Sequence, residues 1–171
     1  MEDDIKHDSL NNSTHEGYMT YSKNSIWIDL KYKDFYLDNK PSGLYLYCDK
    51  SLNDNTLSQI KLFIAWLKKN YYFPIRCNII IKNEKQFHSS KGDYYCQGIF
   101  FAPEDLSHAK LPRIYVASDT EFEYVVFTVA HELTHYYQWF FFQDEKRSDR
   151  SLELEANKYA KWIIYSYFNQ E

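Results

Sequence analysis

The chain has 171 residues, of which 44% are hydrophobic and 19% aromatic, enough for one domain to bury a sizeable core. That aromatic share excludes wholesale disorder, and only 4 Gly and 4 Pro exclude collagen-like and low-complexity classes. Twenty Lys and Arg against 24 Asp and Glu leave a net charge of −4, with no basic stripe, so no direct nucleic-acid partner is expected.

No apolar run is long enough to span a bilayer, and Tyr136 to Phe142 is the longest candidate. No membrane partner is therefore expected. The N-terminus, Met1-Glu2-Asp3-Asp4, is acidic and carries no apolar signal segment. Cys48, Cys77 and Cys96 are odd in number and widely spaced, which suits free thiols in a reducing compartment. A cytoplasmic location is the expectation.

Residues 1–24 are polar and are predicted to be a flexible N-terminal arm, with His7 and His15 solvated. Residues 25–171 are predicted to be one domain. Ile26 to Tyr32 alternates apolar and polar positions and is expected to be a strand, as is Leu44 to Cys48. The Pro41-Ser42-Gly43 turn between them suggests that they pair or lie close. Leu57, Ile60, Phe63, Ile64 and Leu67 recur at helical spacing within Asn55 to Tyr72. Ile75 to Ile81, Tyr94 to Phe101 and Arg113 to Ala117 are predicted strands. Two capping boxes, Ser118 with Glu121 and Thr120 with Glu123, precede a helix that carries Phe122, Val125, Val126, Val129, Ala130 and Leu133 on its apolar positions. The aromatic run Tyr136 to Phe142 is expected to pack in the core with some exposure. After the polar break Gln143 to Arg150, Ser148 or Asp149 can cap a last helix that reaches Phe168. The reading is an α+β domain with a mixed or antiparallel sheet, a first-half helix and two C-terminal helices.

The chemistry lies in His131-Glu132-Leu133-Thr134-His135. On a helix, positions i and i+4 differ by about 40° in direction, so both imidazoles leave one face one turn apart. That spacing suits two ligands of a tetrahedral Zn2+ ion. Glu132 stands about 100° around the axis, beside the metal rather than on it. It is placed to take a proton from water and pass it to a leaving amine as the catalytic residue.

A third ligand is needed, and His135 is the last histidine, so an H-E-x-x-H-x-x-G-x-x-H pattern is ruled out. Gln138 and Phe141 stand at its Gly and His positions. Asp144, Asp149, Glu153 and Glu155 remain as acidic candidates. The last helix has an apolar stripe of Leu152, Ala156, Tyr159, Ala160, Ile163 and Tyr167. Glu153 falls about 60° from its centre and Glu155 about 100° away on the other side. Glu153 is thus expected nearer the interior and is favoured as ligand. Asn157, one turn on, can hydrogen-bond a ligating histidine.

His131 to His135 followed by Glu153-Leu154-Glu155-Ala156-Asn157 resembles the gluzincin metallopeptidases, and most closely their ImmA/IrrE type. The resemblance spans about residues 94 to 168. It implies a small zincin-like domain over residues 25–171, with Glu153 as third ligand. It also implies peptide-bond hydrolysis in a protein substrate, such as a repressor-type regulator. No added DNA-binding or sensor domain is expected in these residues, which departs from that type.

Two alternatives accompany this reading. One is a zinc-binding interaction module without turnover, against which the intact Glu132 argues. The other is a deformylase-like amide hydrolase with Cys96 as ligand. Tyr95-Cys96-Gln97-Gly98 does not reproduce the deformylase motif, and a strand cysteine in the core is the simpler account. For an oxyanion donor, Tyr159 is the candidate among many tyrosines.

Overall fold

Cys77, Ile79 and Ile81 are buried while their neighbours are half-covered, the alternation of a strand with one face in the core. This strand, β2 (Cys77–Lys82), is central in a computed structural model that describes residues 25–35, 41–106 and 109–170. The arm assigned to residues 1–24, with His7 and His15, lies outside the described residues.

β2 pairs in parallel with β1 (Leu44–Cys48) on one side and with β6 (Arg113–Ala117) on the other. β5 (Gly98–Phe101) pairs antiparallel with β6, giving a mixed sheet of order β1-β2-β6-β5. β3 (Phe87–His88) and β4 (Tyr95–Cys96) form a separate two-stranded ribbon.

Helix α1 (Asp54–Asn70) starts where the Asn53 side chain accepts the Thr56 N–H at 2.8 Å, and it buries Ile60, Phe63, Ile64 and Leu67. Helix α2 (Phe122–Phe141) touches β5, β6, α1 and helix α3 (Asp149–Phe168). Contact on so many sides accounts for its composition. Val125, Val126, Val129, Ala130, Leu133, Tyr136, Tyr137 and Phe140 are all buried, and no single stripe contains them. The aromatic run is core with partial exposure at Trp139 and Phe141, as expected. Ser148 caps α3, accepting from the Ser151 N–H at 3.2 Å. Among the described residues, no helix is long and apolar enough to cross a membrane.

Three local expectations fail, each for a physical reason. Ile26 to Tyr32 is not a strand and does not pair with β1. It makes one bridge, Asp29 to Tyr71, and then enters a 3-10 helix over Leu30–Phe35. The adjacent Trp27 and Ile28 are both buried, which a strand with one covered face does not do. Trp27 packs edgewise on Tyr71 and at a tilt on Tyr137, and its indole N–H donates to Thr134 Oγ1 at 3.1 Å. Tertiary anchoring under α2 therefore overrides the alternation. The predicted strand Tyr94 to Phe101 divides at Gln97: Tyr95–Cys96 pairs with β3, and Gly98–Phe101 pairs with β6. The two capping boxes before α2 do not form. Glu121 is the N-cap without a side-chain bond, and Ser118 Oγ instead donates to the Lys82 carbonyl at 2.8 Å.

One buried hydroxyl ties α2 to the sheet side. Tyr136 Oη donates to the Ile75 carbonyl at 2.7 Å and accepts the Ile75 N–H at 3.0 Å. Tyr136→Phe keeps the ring but strands both backbone groups. It should cost about 1–3 kcal/mol in denaturant unfolding, and unchanged stability would show that the pair of bonds contributes nothing.

Candidate metal centre

α2 and α3 meet so that three side chains converge. His131 and His135, one turn apart on α2, bring their Nε2 atoms to 3.1 Å. Glu153, in the first turns of α3, sets Oε2 3.2 Å from His131 Nε2 and Oε1 3.2 Å from His135 Nε2. Among the described residues this is the one group of His, Cys, Asp or Glu able to share a metal ion, with all donor atoms within 4.8 Å of one another.

The chemistry of these donors fits a cation. The Nδ1 of His131 faces Asn157 Oδ1 at 3.1 Å, and the Nδ1 of His135 faces Gln138 Oε1 at 2.7 Å. Both amide oxygens are acceptors, so each Nδ1 carries the hydrogen, and in the neutral ring this tautomer leaves a lone pair on Nε2. Burial and the neighbouring His135 hold His131 below the usual histidine pKa, against the pull of Glu153, so it favours the neutral, ligating form. In that form two lone pairs and a carboxylate face one another. A tetrahedral ion with bonds of about 2.0–2.1 Å has ligand–ligand edges of about 3.3–3.4 Å. The observed edges come within a few tenths of an ångström of that.

Asp144 and Asp149 are absent from the cluster. Glu153 is the acid beside the histidines, but not for the expected reason. Its side chain is 56% exposed, whereas that of Glu155 is 16% exposed, so Glu153 is not the more interior of the two. The histidine face of α2 opens onto a cleft, and an acid that meets it must stand at the helix's open edge. Glu155 turns instead toward Arg147 and Gln138, each donating to its Oε2 at 2.8 Å.

Glu132 is buried, and its carboxyl is pushed up to about 8 by burial and then by the Glu153 charge. A hydrogen bond from the Phe100 backbone and the charge of Lys91 pull it the other way. The Phe100 group is available because β5 is an edge strand. Ala117 N–H donates to the Gln97 carbonyl at 2.8 Å, so by antiparallel alternation the main-chain groups of Gly98 and Phe100 point off the sheet. Gly98 lets this edge approach α2. A Cβ there would stand 2.5 Å from Thr128 Cγ2 and 2.7 Å from Glu132 Oε1.

These groups line a cleft of about 910 Å³ between β5, α2 and the start of α3. Ile99, Phe100, Phe127 and Trp139 give it apolar walls, and Lys91 and Arg147 bring positive charge. Cys96 also lines it, but its thiol points to the Phe87 carbonyl at 3.7 Å and is not among the converging donors. Tyr159 does not line the cleft. It is buried, its phenol hydrogen-bonded to the Ile26 backbone and to Ser25, and burial pushes its pKa up to about 12. It is therefore not placed to meet an oxyanion.

No family model, curated protein or solved structure matches the chain.

Sequence reasoning missed Gln138, Arg147 and Gly98. Gln138 and Arg147 carry no motif, and only Gly98 left a signal, a glycine inside a predicted strand. Gly98→Ala should destabilise by about 1–3 kcal/mol through overpacking, read by denaturant unfolding. Wild-type stability in that variant would mean that β5 can leave α2 freely.

Proposed function

We propose that the protein is a zinc-dependent metallopeptidase of gluzincin type, with a zincin-like domain that hydrolyses peptide bonds in a protein substrate. The observation that carries this reading is the convergence of His131, His135 and Glu153 lone pairs beside a buried Glu132 at the wall of an open cleft. His131, His135 and Glu153 would hold a zinc ion, which would supply Lewis acidity for activating water and polarising a carbonyl.

The remaining work falls to the chain itself. Asn157 and Gln138 orient the two imidazoles through their Nδ1–H groups. The carboxylate of Glu132 takes the proton of a water as that water adds to the peptide carbonyl, then delivers it to the departing nitrogen. Burial strengthens Glu132 as a base, and a divalent charge nearby favours its ionised form at neutral pH. The open edge of β5 offers the Gly98 main chain to an extended peptide, which supports a polypeptide substrate.

The motif's resemblance to the ImmA/IrrE type suggests a repressor-like regulator as substrate. Three free cysteines support a reducing, cytoplasmic setting. A silent zinc module would have no use for Glu132 at the cleft wall, and a deformylase-like site would need Cys96 among the ligands.

Metal analysis should find about one zinc per chain, lost in the His131→Ala/His135→Ala double variant. Full metal content in that variant would end the proposal. Glu132→Gln should retain zinc while cleavage of an unfolded protein substrate falls by at least ~10²-fold. Undiminished cleavage by Glu132→Gln would rule out its role as base.

A further inference from the structure

The histidine that ends the motif is tied to a charged network that no sequence pattern signals. Gln138, one turn after His135 on α2, is buried, with both amide N–H groups and the amide oxygen engaged. Its Nε2 donates to the Leu152 carbonyl at 3.0 Å and to Glu155 Oε2 at 2.8 Å. The Leu152 carbonyl can only accept, so turning the amide over would lose that bond. Its Oε1 must therefore face His135 Nδ1, at 2.7 Å, and that nitrogen must be the protonated one.

Glu155 is held in place in turn by Arg147. Nη1 donates to Glu155 Oε2 at 2.8 Å, and Nη2 donates to Ser151 Oγ at 3.2 Å. The ion pair is mostly covered, with side-chain exposures of 20% and 16%. Charge-assisted bonds to a partly buried carboxylate are stronger than neutral ones. Arg147 belongs to the segment between α2 and α3, so the same network closes the junction of the two helices next to the three converging donors.

Building on the metal-site reading, we propose that Arg147, Glu155 and Gln138 form a positioning relay that locks His135 in the tautomer whose Nε2 binds metal. Arg147 fixes the Glu155 carboxylate, the carboxylate fixes the Gln138 amide, and the amide oxygen fixes the imidazole. None of the three touches the reacting atoms. Their effect is on metal affinity, because an imidazole free to rotate or change tautomer presents Nε2 only part of the time. His131 has a simpler support, a single amide oxygen from Asn157.

The test is a zinc titration of the full chain by competition with a chromophoric chelator, far below the unfolding temperature of each variant. Gln138→Met keeps the volume and removes the acceptor, and it should raise the zinc Kd by about 10–100-fold. Glu155→Gln, at a less buried position, removes the anion while leaving a side chain that can still bond. It should raise the Kd in the same direction by a smaller factor. In the zinc-loaded unaltered chain the His135 Nδ1–H proton should exchange slowly in NMR spectra, and that protection should be lost in Gln138→Met. A purely structural role would lower the unfolding midpoint and leave both readouts of the folded protein unmoved. If the unaltered chain binds zinc through His131 and His135 but the two variants bind it as tightly, the relay is wrong and the metallopeptidase proposal stands. If the unaltered chain binds no zinc, both fall.

Discussion

The packing of α3 on α2 is the constraint on which the site depends. α2 contacts the sheet on one side and α3 on another, so its histidine face has one orientation available. Ala156 and Ala160 on α3 and Ala130 on α2 are fully buried, and small side chains of this kind let helices approach closely. That approach brings the Glu153 oxygens to 3.2 Å from the two imidazoles. The resulting trio of lone-pair donors is electrostatically unfavourable by itself, so the fold supplies the preorganisation and a cation would supply the compensating charge.

The two glutamates of α3 divide the labour by environment. Glu153 stands at the open edge, where a carboxylate stays hydrated. Glu155 faces inward and would be costly there without a partner, and Arg147 and Gln138 provide two. Glu132 has a third environment, close beneath the edge strand at Gly98 with one backbone donor. The three carboxylates thus differ in burial and in partners, with Glu132 buried, Glu153 exposed and Glu155 mostly covered.

Much of this was legible in the sequence. The His131 to His135 spacing on a helix, the lack of any later histidine and the acids of the last helix pointed to the three side chains that the fold brings together. The α+β class and the three helices followed from periodicity, because long amphipathic or wholly apolar helices leave a strong signal. What failed was local and short-range. Ile26 to Tyr32 alternates like a strand, but Trp27 finds its partner at Thr134, far along the chain, and no pattern reveals that. Helical angle places Glu153 nearer the core than Glu155, yet Glu153 is the exposed one. Helical angle gives direction around an axis and not the position of a cleft. Gln138, which the motif comparison used only for elimination, has its role through a three-dimensional network of Leu152, Glu155 and His135.

The central claim, that His131, His135 and Glu153 together hold zinc, is tested most directly by X-ray absorption on the zinc-loaded protein with Glu153→Ala in parallel. The account predicts a first coordination sphere of nitrogen and oxygen only, at about 2.0–2.2 Å, with two imidazole signatures. It also predicts loss of most zinc affinity in Glu153→Ala. A sulfur scatterer near about 2.3 Å, or an unaltered zinc environment in Glu153→Ala, would contradict it.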